Sequence, residues 1–159
     1  MPELRAGLGF DVHDWGAGGT LNLAGVPFPD RPKLLGHSDG DAVCHAVADA
    51  LLGAAGLGDV GEHFPDTDER FAGIAGLDLL ARTVNLVGAA GLAPASVDVT
   101  VLAAQPSISP VRDRMRANLA GVLRVPPERV SVKATRPEGL GLSGNGAGCL
   151  ALAVLTAGG

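Results

Sequence analysis

The sequence predicts one domain of mixed α/β (α+β) type. Its 159 residues are enough for a single domain with a buried core. Short segments in which apolar and polar residues alternate predict strands, and longer segments with apolar residues three and four positions apart predict helices. No repeat or low-complexity segment interrupts these patterns, so residues 1–159 are expected to fold as one unit.

The first third of the chain predicts a pair of strands. Residues 4–10 and 20–26 have strand-like patterns, and the glycine-rich turn between them predicts that they pair with each other. Pro27, Pro29 and Pro32 then predict a loop, because proline lacks the N–H that a strand donates.

A long helix is expected over residues 41–57, where apolar residues recur at helical spacing. Ser38 followed three residues later by Asp41 resembles a capping box and predicts the start of this helix. Acidic residues, glycine and proline dominate residues 58–70, which are expected to form an exposed loop.

The rest of the chain alternates helices and strands. Helices are predicted over residues 77–90 and 110–123, the second with a proline in its first turn. Strands are predicted over residues 97–103, 130–135 and 149–156. Such a fold has many strand edges, and oligomerisation is one way to cover them.

Composition argues against several classes of protein. The 12 basic and 17 acidic residues give a formal net charge of −5, which disfavours a nucleic-acid-binding surface, and four Phe and one Trp are few for base stacking. An anionic ligand would therefore be held by metal ions and backbone N–H groups more than by basic side chains.

Cys44 and Cys149 are the only cysteines and predict a reduced, cytoplasmic protein. The first residues do not have the pattern of a secretory signal, and the longest apolar run, residues 149–157, is too short to cross a membrane.

Histidines and aspartates cluster in the first 63 residues, which hold all four histidines. Asp11 and His13 are two residues apart at the end of a strand and so point to the same face. Asp41, His45 and Asp49 follow each other at helical spacing on one helix face. If the strand end packs against the first turn of the helix, Asp11, His13 and His45 meet at one point.

One carboxylate with two neutral imidazoles is the donor set of a catalytic metal ion such as Zn²⁺. A two-histidine, one-carboxylate Fe²⁺ site has the same donors, and the spacing does not distinguish the two metals. Asp49 is expected to orient the imidazole of His45. His37 and Ser38 are expected at the helix N-terminus, where N–H groups and the helix dipole favour a phosphate. A purely structural reading makes Asp41 a first-turn helix residue and Asp49 a solvated one.

Three segments of the chain resemble a known family. They are GFDVH at 9–13, LLGHSDGDAVCHAVADALLGAAGLGDVGEHFPDTD at 34–68, and VSVKAT with EGLG within 130–141. In this order they resemble the 2-C-methyl-D-erythritol 2,4-cyclodiphosphate synthases of the non-mevalonate isoprenoid pathway. The resemblance implies a homotrimer in which each mixed sheet has helices on one face, the sheets face the central axis, and active sites lie between subunits.

The reaction that the resemblance implies is a phosphorus–oxygen lyase reaction. The 2-phosphate of 4-diphosphocytidyl-2-C-methyl-D-erythritol 2-phosphate attacks the β-phosphorus of the CDP unit, CMP leaves, and a cyclic diphosphate forms. Asp11, His13 and His45 would hold one Zn²⁺ per subunit, and His37 and Ser38 would bind the 2-phosphate, with His37 acting in catalysis. Further contacts expected in this half of the site are Val12, Asp59, Val60, Gly61, Phe64, Pro65, Asp66, Thr67 and Asp68.

The nucleotide half departs from the family pattern. Glu138 matches a carboxylate that binds Mg²⁺ or Mn²⁺ between the α- and β-phosphates. Ser107 stands at a lysine position, and Arg136 stands at the threonine that stabilises the transition state, so a guanidinium is expected to take over both contacts. Leu142, Asn145 and Ala147 stand at Phe, Arg and Glu positions. The contacts expected here are Ala103, Ala104, Gln105, Pro106, Ser107, Ile108, Ser109, Thr135, Arg136, Pro137, Glu138, Leu142 and Asn145.

These departures leave more than one function open. The first is the synthase with altered nucleotide contacts. The second is a non-catalytic, zinc-containing trimer that binds a phosphorylated isoprenoid or nucleotide and regulates or partners another enzyme. A third keeps the chemistry and changes the nucleotide. His63 matches no role and is expected to be an exposed loop histidine.

Overall fold

A mixed four-stranded sheet is the centre of the computed structural model, which describes residues 3–141 and 145–158. The strands of the described chain are β1 (Leu4–Asp14), β2 (Leu21–Leu23), β3 (Val26–Phe28), β4 (Leu92–Leu102), β5 (Val130–Thr135) and β6 (Gly146–Ala157). The main sheet has the order β1-β6-β4-β5, and β2 and β3 form a separate hairpin. Strand β6 is antiparallel to both neighbours, whereas β4 and β5 are parallel. The mixed α/β class predicted from the sequence is confirmed.

Helices cover one face of this sheet. They are α1 (Ala42–Ala55), α2 (Val60–His63), α3 (Gly76–Ala89) and α4 (Arg112–Leu123), with 3-10 turns at Glu69–Phe71, Ser109–Val111 and Pro127–Arg129. Helix α1 is almost entirely buried between the sheet and α3. In residues 3–141 and 145–158, no helix has the length and apolar character needed to span a bilayer.

Two glycines let α1 approach β1 closely. A Cβ atom at Gly7 or Gly9 would collide with backbone oxygens of Ala50 and Ala46 on the facing side of α1. The small side chains of α1 and the bare backbone of β1 therefore pack directly together. This contact brings His45 of α1 beside the end of β1.

The opposite face of the sheet carries exposed apolar side chains. Leu8 and Phe10 of β1 are exposed, as are Leu150 and Leu152 of β6. Towards β4 and β5 the same face becomes polar, and Lys133 Nζ lies 2.6 Å from Asp98 Oδ2. One chain therefore leaves this face uncovered.

The predicted pairing of residues 4–10 with residues 20–26 is wrong. Strand β1 pairs with β6, more than 130 positions away, and β2 turns back onto β3. Ala24 and Gly25, predicted as strand, form the tight turn between β2 and β3 with φ of 50° and 71°, the left-handed values that two-residue hairpin turns require. Pro27 lies in β3, in a two-stranded hairpin that leaves its missing N–H without consequence.

The start of α1 also differs from the prediction. Asp41, not Ser38, is the N-cap, and its side chain accepts a hydrogen bond from Cys44 N at 3.0 Å. The remaining helices and strands occur where they were predicted, with shifted ends. Strand β4 begins at Leu92, five residues before the predicted strand, and residues 58–70 contain the short helix α2.

Candidate functional site

The end of β1 and the second turn of α1 bring Asp11, His13 and His45 together. One nitrogen or oxygen of each side chain lies within 4.8 Å of the others. Asp11 Oδ2 is 2.7 Å from His13 Nε2 and 3.5 Å from His45 Nδ1. The two imidazole rings are nearly perpendicular, with centroids 5.8 Å apart. The spacing of the three residues predicted this arrangement. Asp11, His13 and His45 are called the metal-ligand cluster below.

These three side chains fit a divalent cation. Asp11 Oδ2 and His13 Nε2 are buried and lie 2.7 Å apart, but this contact does not have the geometry of a hydrogen bond, and neither atom has another hydrogen-bond partner in the described part of the chain. Buried polar atoms without partners cost about 1–3 kcal/mol each, and a cation between them would satisfy both. One carboxylate oxygen and two imidazole nitrogens form a donor set of the kind that binds Zn²⁺ and leaves a coordination position open.

Charge at the cluster favours an ionised carboxylate. Burial raises the pKa of Asp11, but the imidazoles of His13 and His45 outweigh it and lower that pKa to about 2. Contact with the Asp11 carboxylate in turn raises the pKa of His13, against the effect of burial. A metal ion therefore competes with a proton at His13, and metal binding is expected to weaken as the pH falls.

Ser38 orients the imidazole of His45. Its hydroxyl oxygen lies 2.9 Å from His45 Nε2, which leaves Nδ1 directed at Asp11. The prediction that Asp49 has this role is wrong, because the Asp49 carboxylate accepts a hydrogen bond from Val60 N at 3.0 Å. Asp49 ties α1 to α2 instead.

Substituting Ser38 with alanine is expected to weaken zinc binding about tenfold, because residues that orient a metal-bound histidine are typically worth 10–100-fold in affinity. Asp49→Asn is the matched control, since its amide oxygen still accepts from Val60 N, and zinc affinity should stay within about twofold. Competition with a chromophoric chelator measures both values. An equal loss of zinc affinity in the two variants would show that Asp49 contributes to the orientation of His45 as much as Ser38 does.

His37 and Ser38 were predicted to lie at the N-terminus of α1. In the structure they lie in the loop before this helix. The helix begins at Ala42, and the Asp41 carboxylate already caps it. The helix dipole therefore contributes little at His37, whose Nε2 lies 3.3 Å from the backbone oxygen of Asp68. Both residues line a cavity of about 120 Å³ that also reaches His13 and His45.

The predicted erythritol contacts divide between two places. Asp59, the N-cap of α2, lines a second cavity beside the metal-ligand cluster, together with Val60 and Gly61. Phe64 lies in the cavity of His37 and makes an edge-to-face contact with Phe71, with ring centroids 5.2 Å apart.

The remaining residues of this group do not all face the cluster. Asp68 pairs through its carboxylate with Arg70, 2.6 Å away, and its backbone N–H donates to Pro65. Asp66 and Thr67 are exposed in the same loop. Val12 points to the uncovered face of the sheet, so only its backbone is on the side of Asp11 and His13.

The predicted nucleotide contacts gather in separate cavities. One, of about 160 Å³, is lined by most of residues 103–109 together with Thr135 and Arg136. Gln105 lies outside this lining and accepts a hydrogen bond from Arg31 at 3.4 Å. None of the residues that line this cavity also lines a cavity of the metal-ligand cluster.

The segment after β5 forms a fourth cavity. Pro137, Glu138 and Asn145 line it with Arg136 and Trp15. Glu138 has a φ of 52° and is not part of the metal-ligand cluster. Leu142 lies outside the described residues, and Ala147 is buried.

Two residues were misjudged or missed from the sequence. His63 is half-buried and bonds through Nε2 to the carbonyl oxygen of Leu57 at 2.7 Å, so it is not an exposed loop histidine. Arg112, at the start of α4, lines the cavity of Ser107 and Arg136. The only sequence signal for Arg112 was a basic residue five positions after Ser107, in a segment predicted to start a helix.

Comparisons with known proteins match this arrangement over nearly the whole chain. The model of the YgbB family matches residues 4–157. A 2-C-methyl-D-erythritol 2,4-cyclodiphosphate synthase from Pelotomaculum thermopropionicum is 50% identical over 151 residues, which are 95% of this chain and 93% of the relative.

Solved structures have the same fold. The bifunctional IspDF of Campylobacter jejuni is similar with a TM-score of 0.92 and 38% identity, over 99% of this chain and 43% of that longer chain. A 2C-methyl-D-erythritol-2,4-cyclodiphosphate synthase in a CDP-bound form has a TM-score of 0.82 and 34% identity, over 96% of this chain and 98% of its own. The chain therefore belongs to the YgbB family, together with the cyclodiphosphate synthases to which it is similar.

Proposed function

We propose that this protein converts 4-diphosphocytidyl-2-C-methyl-D-erythritol 2-phosphate to 2-C-methyl-D-erythritol 2,4-cyclodiphosphate and releases CMP. The observation that carries the proposal is the cluster of Asp11, His13 and His45 beside the cavity of His37 and Ser38. It occurs in a chain that is 50% identical to a protein named for this reaction. The activity is that of a phosphorus–oxygen lyase of the non-mevalonate isoprenoid pathway. We propose that the protein acts in the cytoplasm.

The reaction forms one P–O bond and breaks another within a single bound molecule. An oxygen of the 2-phosphate attacks the β-phosphorus, and CMP leaves with the electrons of the broken bond. Because the attack is intramolecular, positioning and charge neutralisation supply most of the catalysis. His37 and Ser38 bind and orient the 2-phosphate, and His37 donates a hydrogen bond to the charge that develops in the transition state.

Metal ions complete the site in this proposal. Asp11, His13 and His45 hold Zn²⁺, which supplies Lewis-acid activation of a phosphate when bound. Glu138 is the proposed protein ligand of a Mg²⁺ or Mn²⁺ that arrives with the nucleotide. Arg136 neutralises charge on the CMP side of the substrate. In a chain of net charge −5, these cations offset the repulsion of a triphosphorylated substrate.

The working form that we propose is a homotrimer with its sheets towards the central axis. Two observations support it. Leu8, Phe10, Leu150 and Leu152 leave an apolar sheet face uncovered in one chain. The metal-side and nucleotide-side cavities of one chain have no lining residue in common, as expected if each site combines halves of two subunits.

The test is to incubate zinc- and magnesium-loaded protein with the cytidyl substrate and follow phosphorus-31 NMR. The expected result is the appearance of CMP and of the cyclic diphosphate. The control omits the protein. A protein that keeps its zinc and its trimeric state but forms neither product would refute the synthase activity and favour a non-catalytic, ligand-binding relative.

Ser107→Lys is expected to tighten CMP binding about tenfold, because one added charge-assisted contact to phosphate is worth about 1.5–3 kcal/mol. Ser107 lines the proposed nucleotide cavity, so a lysine there adds a cation to it. Isothermal titration with CMP gives the affinity. An unchanged affinity would mean that this cavity does not take the nucleotide phosphate.

A further inference from the structure

The cavity at the end of β5 has the properties of an anion site. Two arginines, Arg112 and Arg136, line it together with the hydroxyl-bearing residues Ser107, Ser109 and Thr135. None of the described residues that line it is a carboxylate. In a protein with more acidic than basic residues, a cavity with two cations and no anion is a specific local arrangement.

Both guanidinium groups lack an ion-pair partner among the residues that the structure describes. Among the hydrogen bonds and ion pairs of residues 3–141 and 145–158, neither Arg112 nor Arg136 has a partner. The acidic neighbour of Arg112, Asp113, lies 3.3 Å from Arg116 instead. Both arginines are exposed at the cavity and remain available to a ligand.

Arg112 is held at the cavity by its position in the fold. The 3-10 turn Ser109–Val111 leads directly into α4, so Arg112 is the first residue of this helix. Ile108 and Met115, on either side of it in sequence, are buried and anchor the segment in the core. Arg112 therefore lines the cavity of Ser107 from a fixed backbone position.

We propose that Arg112 is a nucleotide-binding residue that contacts a phosphate of the cytidine nucleotide, together with Arg136. This inference rests on the proposed function. Ser107 offers only a hydroxyl where a cation is expected, and Arg112 supplies the missing positive charge from the first turn of α4. A guanidinium makes paired, permanently charged hydrogen bonds to phosphate oxygens, and the three hydroxyl groups supply further donors.

The experiment measures CMP and cytidine binding to the zinc-loaded, full-length protein by isothermal titration. The variant is Arg112→Gln, and the control is Arg114→Gln, which makes the same charge change at an exposed arginine of the same helix outside the cavity. Arg112→Gln is expected to raise the Kd for CMP about 10–100-fold and to leave cytidine binding unchanged. Arg112→Lys should recover part of the CMP affinity, because it restores the charge without the paired geometry.

Two results would overturn the inference. One is an equal CMP affinity in Arg112→Gln and Arg114→Gln. The other is an equal loss of CMP and cytidine affinity, which marks a structural defect and not a lost phosphate contact. Turnover of the cytidyl substrate by the wild-type protein distinguishes a failure of the inference about Arg112 from a failure of the proposed function. If the wild-type protein turns over the substrate and Arg112→Gln binds CMP normally, only the role of Arg112 is refuted. If the wild-type protein neither binds CMP nor forms the cyclic product, the proposed function is refuted as well.

Discussion

Replacing His45 with alanine is expected to remove the bound zinc and to lower turnover about 1,000-fold or more, since the loss of a Lewis acid removes several kcal/mol of transition-state stabilisation. His45 supplies one of only three donors in the cluster, and its Nδ1 faces Asp11 at 3.5 Å. Without it, Asp11 and His13 remain as a two-donor site. Elemental analysis of the purified variant gives the zinc content, and phosphorus-31 NMR gives the turnover.

The control for this prediction is His63→Ala. His63 is a half-buried histidine, but its ring bonds to the Leu57 carbonyl oxygen and it lines none of the cavities near the cluster. This variant should keep one zinc per chain even if its stability falls. A second readout is thermal: a chelator should lower the unfolding temperature of the wild-type protein and leave that of His45→Ala unchanged. Full zinc content in His45→Ala would show that the cluster is not the metal centre.

The metal-ligand cluster could be predicted because its residues come from only two elements, and the spacing within each element fixes which way its side chains point. A spacing of two in a strand places Asp11 and His13 on one face, whatever the rest of the fold does. A single further assumption, that α1 packs on β1, adds His45. The glycines at positions 7 and 9 are what make this packing close.

The roles of the flanking aspartates could not be predicted from spacing. Asp41 and Asp49 share helical spacing with His45, but their hydrogen-bond partners come from elsewhere in the fold. Asp49 is bonded to Val60 of α2, and Asp41 to the hairpin turn at Gly25. Helical periodicity says which residues share a face and nothing about which backbone donors approach that face.

The partner of β1 and the presence of Arg112 in the cavity of Ser107 and Arg136 could not be predicted, for the same reason. The sequence neighbour of β1 is the segment that contains β2, but the partner of β1 is β6 at the far end of the chain. Arg112 and Arg136 line one cavity because the parallel pairing of β4 with β5 brings the segments after both strands together. Non-local pairings of this kind leave no periodic signal in the sequence.

Asp41 is the residue whose loss is expected to cost the most stability. Its side chain is fully buried, and it accepts hydrogen bonds from Ala24 N at 2.9 Å, Gly25 N at 2.8 Å and Cys44 N at 3.0 Å. One carboxylate thus joins the β2–β3 turn to the first turn of α1. His45 begins the next turn of that helix, so this junction also fixes the backbone that carries a candidate metal ligand.

Asp41→Ala is expected to lower the free energy of unfolding by about 3–5 kcal/mol, because buried N–H groups left without an acceptor cost about 1–3 kcal/mol each. Asp41→Asn should cost about 1–2 kcal/mol, since its single amide oxygen still accepts from Ala24 and Cys44 while its amide NH₂ opposes Gly25 N. Asp113→Ala is the control, an exposed aspartate paired with Arg116, and should change stability by less than about 0.5 kcal/mol. Urea unfolding at one protein concentration gives all three values and keeps any contribution from subunit association constant. If Asp41→Ala unfolds no more easily than Asp113→Ala, the hairpin turn and α1 are held together by apolar packing alone, and the three hydrogen bonds contribute nothing that packing does not already supply.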